Sequence, residues 1–250
     1  MSVMISAVVV ALNEAEKLHS CLESIKNFAE EIIVVNLNST DETAKVGKKY
    51  GKVYSHKEVV YVEIVRNWAI DKAHGDWILI LDPDEILSAK LAVYLKGNID
   101  QEFIAFNIPR KNIFFNSWIK HSNFWPDKQI RFFKKNTVKW PTKLHTYPKV
   151  AGNVKDVEVK EDLAIIHYGY SSYSEFIRRQ DRYARIEVDE RVSNKERTTL
   201  LKLFWNPFRI FLVRFIKHRG YLDGINGVFI VLVLMYYKFQ VEWKLLKIDI

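Results

Sequence analysis

Three short, continuous apolar runs punctuate the first third of the chain: VVVAL at 8–12, IIVVNL at 32–37 and WILIL at 77–81. Each ends in polar turn residues, which predicts strands covered on both faces. Between the first two, apolar positions return at helical spacing, at Leu18, Cys21, Leu22 and Ile25. After the second, Ser39 or Thr40 and Asp41 can cap a helix that stops near Gly51, and a further helix over 62–74 is closed by Gly75. Doubly buried strands separated by helices specify a parallel α/β sheet with right-handed crossovers and helices on both sides.

The texture changes from about 103 to 170. Strand-like pieces (FIAFNIP, QIRFF, LAIIHYGY) alternate with polar loops, which reads as a mixed or antiparallel extension of the sheet. Residues 172–197 form a charged helical segment. Asn206 and Pro207 then have the chemistry of an N-cap and first helical position. Phe208, Phe211, Leu212, Phe215 and Ile216 follow at i, i+3, i+4, i+7 and i+8, flanked by Arg209, Arg214, Lys217 and Arg219. This is a basic amphipathic helix with an aromatic face. The run VFIVLVLMYY (228–237) is ten apolar residues long. A bilayer span needs about 20, so the expectation is an interfacial or shallowly inserted segment, with packing against the rest of the protein as the alternative. The pattern divides the chain into a domain at 1–196 and a helical tail at 197–250.

Composition sharpens this division. The 250 residues contain 48% apolar side chains but only 9 glycines and 6 prolines, which excludes a disordered or collagen-like chain. A single cysteine, Cys21, excludes an internal disulfide framework and a structural zinc site, and suggests a reducing compartment. The first residues lack a basic leader, so no signal peptide is expected. The net charge is +8, yet residues 197–250 hold nine basic and three acidic side chains together with 11 of the 34 aromatics. The surplus therefore belongs to the tail, where it suits an anionic membrane surface at which the protein would be peripheral. Nucleic acid is disfavoured, because the cations flank a continuous apolar face and not isolated stacking aromatics in a polar groove.

Ligands of open parallel sheets bind beyond the carboxyl ends of the strands. Asn13-Glu14, the loop from Asn36 through Asn38 to Asp41, and Asp82-Pro83-Asp84-Glu85 all fall at such ends. Turn and cap chemistry can account for each cluster alone; their convergence on one sheet edge points to a site. In extended geometry Asp82 and Asp84 face the same side, and two like charges held together call for a cation between them. Hard oxygen donors suit Mg2+ or Mn2+, with water and phosphate completing the shell.

The string VRNWAIDKAHGDWILILDPDE (65–85) closely resembles the centre of family-2 glycosyltransferases of the GT-A fold, where R/K-N-x-A, G-D/E-W and D-A-D-E segments recur. VVVALNE and VVNLNSTDET match that family's N-E and V-D-x-G-S-T-D-x-T segments in place and spacing. The branch that includes lipopolysaccharide core glucosyltransferases is similar over nearly the whole chain. Its further motifs are matched by Arg131–Lys135, Trp140 to His145, His167–Tyr170 and Tyr221–Gly224.

The resemblance implies a GT-A sheet and metal-assisted, inverting transfer from a nucleoside-diphosphate sugar, a UDP-sugar being favoured, to a glycan or glycolipid acceptor at the cytoplasmic face of a membrane. Asn13, Glu14, Asn36 and Asn38 would contact the nucleotide, with Arg66 near its phosphates. Asp82 would meet ribose or metal, Asp84 would ligate the metal, and His167 could complete the shell or serve as a core histidine. The acceptor base would be His145 or Asp127. Two positions depart from the pattern. Asn36 replaces an Asp that accepts from uracil, which leaves uridine, guanosine and thymidine open. Thr146 replaces a Glu, and a hydroxyl is no base near neutral pH. These departures are what a catalytically silent, membrane-bound scaffold would predict. A nucleotidyltransferase would need a Gly-rich phosphate loop that VVVALNEAEKL lacks.

Overall fold

The computed structural model describes residues 3–99, 102–141 and 147–248. Two compact units emerge, one from residues 1–110 and 128–167 and the other from 111–127 and 168–250.

In the first unit, β1 (Ile5–Ala11) leads through α1 (Ala15–Ile25) to β2 (Glu31–Asn36), α2 (Thr43–Lys48) and β3 (Lys52–Ser55). Next come α3 (Glu63–Asp71), β4 (Trp77–Leu81), β5 (Glu85–Leu87) and α4 (Ala89–Gly97). The strands β3, β2, β1 and β4 lie side by side in that order, all parallel, with Val9 opposite both Val34 and Leu81. Every residue of β1 and β4 is buried, as the continuous apolar runs demand. The twofold period of the strand sends Ala7, Val9 and Ala11 into a core with Leu18, Leu22 and Ile25 of α1. Val8 and Val10 point the other way, to Val65, Ala69 and Ile70 of α3. Each buried Val, Leu or Ile side chain here contributes about 1.5–3 kcal/mol.

The second half of the sheet is mixed, as its broken strand pattern predicts. It is built from β6 (Ala105–Phe114), β7 (Ser117–Trp118), β8 (Asp127–Lys134), β11 (Val154–Asp156) and β12 (Ile165–Tyr170), with a separate ladder of β9 (Val138–Lys139) and β10 (Lys149–Val150). β8 runs antiparallel to β4, and β12 antiparallel to β5.

Helices dominate the second unit. α5 (Tyr173–Ser193) is capped by Ser172, whose hydroxyl accepts from the Glu175 amide, and it covers most of the predicted 172–197 segment. The next helix corrects the expectation at Asn206-Pro207: α6 spans Leu200–Ile210, is capped by Thr199, and carries Pro207 in its interior. Asn206 is no cap; its amide donates to Glu242 at 2.8 Å. A wider π-helical stretch, Phe211–Lys217, follows, then a 3-10 turn at Gly220–Asp223.

The apolar run at 228–237 is the middle of one 25-residue helix, α7 (Gly224–Ile248). Expected as a short interfacial piece, it extends about 37 Å because Gln240 and the charges around it, Lys238 and Glu242, continue the helix through pairings on α5: Lys238 and Gln240 meet Glu187 and Asp181, and Glu242 meets Arg191. By length and composition alone the segment Gly220–Ile248 would suffice to cross a membrane. Ala184 and Val188 of α5 pack on Val241 and Leu245 of α7.

Gly227 has a specific steric reason: a Cβ there would stand 1.9 Å from the Gly220 carbonyl oxygen. Gly227→Ala is therefore expected to lower unfolding free energy by about 1–3 kcal/mol, read as a lower denaturation midpoint without loss of helical signal in the folded baseline.

Candidate active site

The loops after β1 and β2 are tied together at the carboxyl edge of the sheet. The Asn13 amide donates to Ser39 Oγ at 2.9 Å, and Asn13 Oδ1 accepts from the Thr40 amide at 2.8 Å. The Glu14 amide donates to Thr43 Oγ1 at 3.0 Å, and the Ala15 amide to Asp41 at 3.2 Å. Asn13 and Asn38 take left-handed φ angles of 52° and 58°, which asparagine tolerates better than most residues. Asn36 is buried, and its amide oxygen accepts from the Ser39 amide at 3.2 Å. That oxygen shapes the loop. Asn13, Glu14, Asn36 and Asn38 are thus brought into one locality.

At the end of β4 the chain turns instead of continuing extended, and the Glu85 amide donates to the Asp82 carbonyl at 2.9 Å. The two aspartates consequently have different surroundings. Asp82 Oδ1 accepts from Arg66 at 2.6 Å and Oδ2 from Arg131 at 2.5 Å. Burial opposes the charge of Asp82, but Arg131, then Arg66 and Arg110, outweigh it and hold the carboxyl well below the usual carboxylate range. The Arg66 and Arg131 guanidinium groups are the cations that offset the charge of Asp82 in this structure.

Asp84 faces His167 of β12 instead, with its Oδ2 3.6 Å from the imidazole Nε2. Burial raises the Asp84 carboxyl, yet the hydrogen bond and charge of His167 bring it below the ordinary value. A carboxylate and an imidazole at this separation can both donate to one divalent ion. Among the described residues no group of three or more such side chains is arranged to hold a metal. The structure thus brings Asp84 and His167 together, while Asp82 is committed to Arg66 and Arg131.

Glu85 and Arg131 form the buried base of the site. Glu85 is fully buried; its Oε1 accepts from Arg131 at 2.7 Å and Arg110 at 3.2 Å, and its Oε2 from the Asp82 amide at 3.0 Å. Arg66, Arg110 and Arg131 line a cavity of about 270 Å³ with Asp82, Trp140 and Tyr147. Arg66 is buried in its pair with Asp82. Sequence reasoning missed Arg110 and the role of Glu85. The available signal was Arg131 itself, a cation in the apolar strand segment QIRFF that cannot be buried without a carboxylate.

The proposed acceptor bases have different standing. His145, with Thr146, lies outside the described residues. Asp127 opens β8 and, within the second unit, its carboxylate accepts from the Asn112 amide at 3.3 Å.

Comparison with known proteins agrees with this architecture. Residues 6–158 match the family described as glycosyl transferase family 2. An uncharacterised glycosyltransferase of Rickettsia conorii is 26% identical over 243 residues, covering 89% of this chain and 83% of its own. The lipopolysaccharide core biosynthesis glycosyltransferase LpsC of Rhizobium meliloti is 22% identical, with coverage of 89% and 84%. In structure, a mannosyltransferase of Pyrobaculum calidifontis solved with GDP-Man and Mn2+ matches at a TM-score of 0.50 and 12% identity, over 100% of this chain and 87% of the other. The parallel half-sheet, its mixed extension and the matched family together identify the chain as a glycosyltransferase of family 2 with the GT-A fold.

Proposed function

We propose that the enzyme transfers a sugar, with inversion, from a nucleoside-diphosphate donor to a glycan or glycolipid acceptor held at the cytoplasmic face of a membrane. A UDP-sugar is the favoured donor. The observation that carries this reading is the Asp84–His167 pair, with Asp84 two positions along the chain from Asp82, which lines a cavity with Arg66 and Arg110. When bound there, Mn2+ or Mg2+ would offset diphosphate charge as the sugar–phosphate bond breaks. Arg66 and Arg110 add fixed positive charge on the same side, and such preorganised charge needs no solvent rearrangement during the reaction. The Asn13 and Asn36 loops would hold the base and ribose, and Asp82 keeps the two arginines it binds in place. Either Asp127 or His145 would take the acceptor proton.

The base is tested by isothermal titration with UDP, GDP and dTDP in the presence of Mn2+. UDP is expected to bind at least about tenfold more tightly, some 1.4 kcal/mol; tighter binding of GDP or dTDP would reassign the donor, and absence of all binding would remove the enzymatic reading.

The tail 197–250 is proposed as the membrane-docking element. Leu201, Phe204, Trp205 and Phe208 of α6 are exposed, Phe204 by 68%. Phe204→Ser/Phe208→Ser is expected to abolish flotation with anionic vesicles while leaving nucleotide binding unchanged.

A further inference from the structure

A cavity of about 690 Å³ in the second unit is bounded by α5, α6, the π-helical stretch and α7. Its charged lining sorts into two sets. Arg191 and Lys238 are committed to acids: Arg191 meets Glu242 and Glu196 at 3.0 Å each, and Lys238 meets Glu187 at 2.6 Å. Thr198 and Asn206 complete the fully buried Glu242 carboxylate. Lys202, Arg209 and Arg214 also line the cavity, and none of them pairs with a carboxylate among the described residues. Glu190 is the lining acid that has no cationic partner there. The balance is a surplus of positive charge gathered on α6 and the stretch that follows it.

Arg214 is the deepest of the three. One guanidinium nitrogen donates to the Ser122 carbonyl at 2.5 Å, and the group sits 5.3 Å from the Phe124 ring centre. Burial pushes it below the ordinary arginine range, with only the field of Asp127 opposing. A cation sheltered in this way, facing open space, is matched to an anion.

Helical geometry places the cavity mouth beside the apolar stripe. At about 100° per residue, Leu201, Phe204, Trp205 and Phe208 fan over one side of α6. Arg209 and Lys202 follow about 40–60° beyond Trp205 on the same surface. An amphiphile lying against the stripe would therefore bring its polar end to the basic rim.

We propose that this cavity receives the phosphate headgroup of an anionic membrane lipid, with Lys202, Arg209 and Arg214 around the phosphate and the acyl chains along the Leu201–Phe208 stripe. The proposal rests on the membrane-docking reading and adds to it a discrete, saturable site.

The test compares two variants of the full chain that lose the same charge: Lys202→Ser/Arg209→Ser at the cavity, and Arg197→Ser/Lys217→Ser elsewhere in the tail. Diffuse attraction to an anionic surface depends on the number of nearby cations, and the two variants lose the same number, so a diffuse mechanism weakens both equally. A headgroup site predicts that partitioning onto phosphatidylglycerol-containing vesicles falls about tenfold further in the cavity variant. It also predicts one-to-one binding of monomeric dihexanoyl-phosphatidylglycerol by wild type and the Arg197/Lys217 variant, but not by the cavity variant. Equal losses on vesicles overturn the site while leaving membrane docking intact. Inorganic phosphate bound as tightly as the short-chain lipid overturns the lipid assignment. Failure of Phe204→Ser/Phe208→Ser to affect flotation, by contrast, removes the docking reading itself.

Discussion

Asp84→Asn is expected to reduce sugar transfer by about 10²–10³-fold, the cost of losing one well-placed electrostatic partner of a developing negative charge. The substitution keeps the side chain's size and one oxygen but removes the formal charge that a divalent ion needs. Asp84 lies mostly buried 3.6 Å from His167 and is not committed to an arginine, so its charge is available to a ligand in a way that of Asp82 is not. Two readouts separate the expected cause from a folding defect. The affinity for Mn2+ in the presence of a nucleoside diphosphate should fall in parallel with activity, and the denaturation midpoint should hardly change. His167→Gln should show the same pattern with a smaller loss, about tenfold, because an amide oxygen can still donate. Wild-type turnover by Asp84→Asn at saturating Mn2+ would remove the carboxylate from the chemistry.

Much of this arrangement could be read in the sequence, and the reasons are local. A run such as WILIL has one solution in a protein of this size, a doubly covered strand, so the parallel half of the sheet and the clustering of polar loops at its carboxyl edge followed directly. The chemistry of DPDE was also legible as a site, but its geometry was not. Two aspartates in an extended segment share a side, whereas in the turn closed by the Glu85 amide each meets a different partner. Those partners, Arg131 and His167, lie 49 and 83 residues away along the chain, and spacing carries no information about such pairings. The tail shows the same limit. Asn206 and Pro207 have the composition of a helix start, but tertiary demand overrides it: Glu242, buried on α7, recruits Asn206, and Thr199 supplies the cap seven residues earlier.

Arg131→Met should be the most damaging substitution for stability, at about 3–5 kcal/mol, the usual cost of stranding a buried charge. Arg131 is 3% exposed and Glu85 0%, so neither can turn to water when the other is lost. The pH dependence gives the cause away. Asp82 titrates below its ordinary value in the folded protein, with Arg131 the foremost of the charges holding it there. Its contribution is therefore fully present above an unfolded pKa of about 3.9 and is lost as pH falls through the lower folded value. In Arg131→Met that depression is relieved and Glu85 is left without its nearest cation. Protonation then relieves the folded state, and the gap between variant and wild type should narrow in denaturant titrations repeated from pH 7 down to about pH 4. A gap that stays constant across that range would mean that lost packing, not stranded charge, is responsible. Arg131→Met/Glu85→Leu makes the complementary test. Replacing both members of a buried pair by apolar groups is often near neutral, so the double variant should recover much of the stability. It should not recover activity, because Asp82 would retain only Arg66 of its two close guanidinium partners, and the cavity would lose the fixed charge that sets the position of the β4 turn.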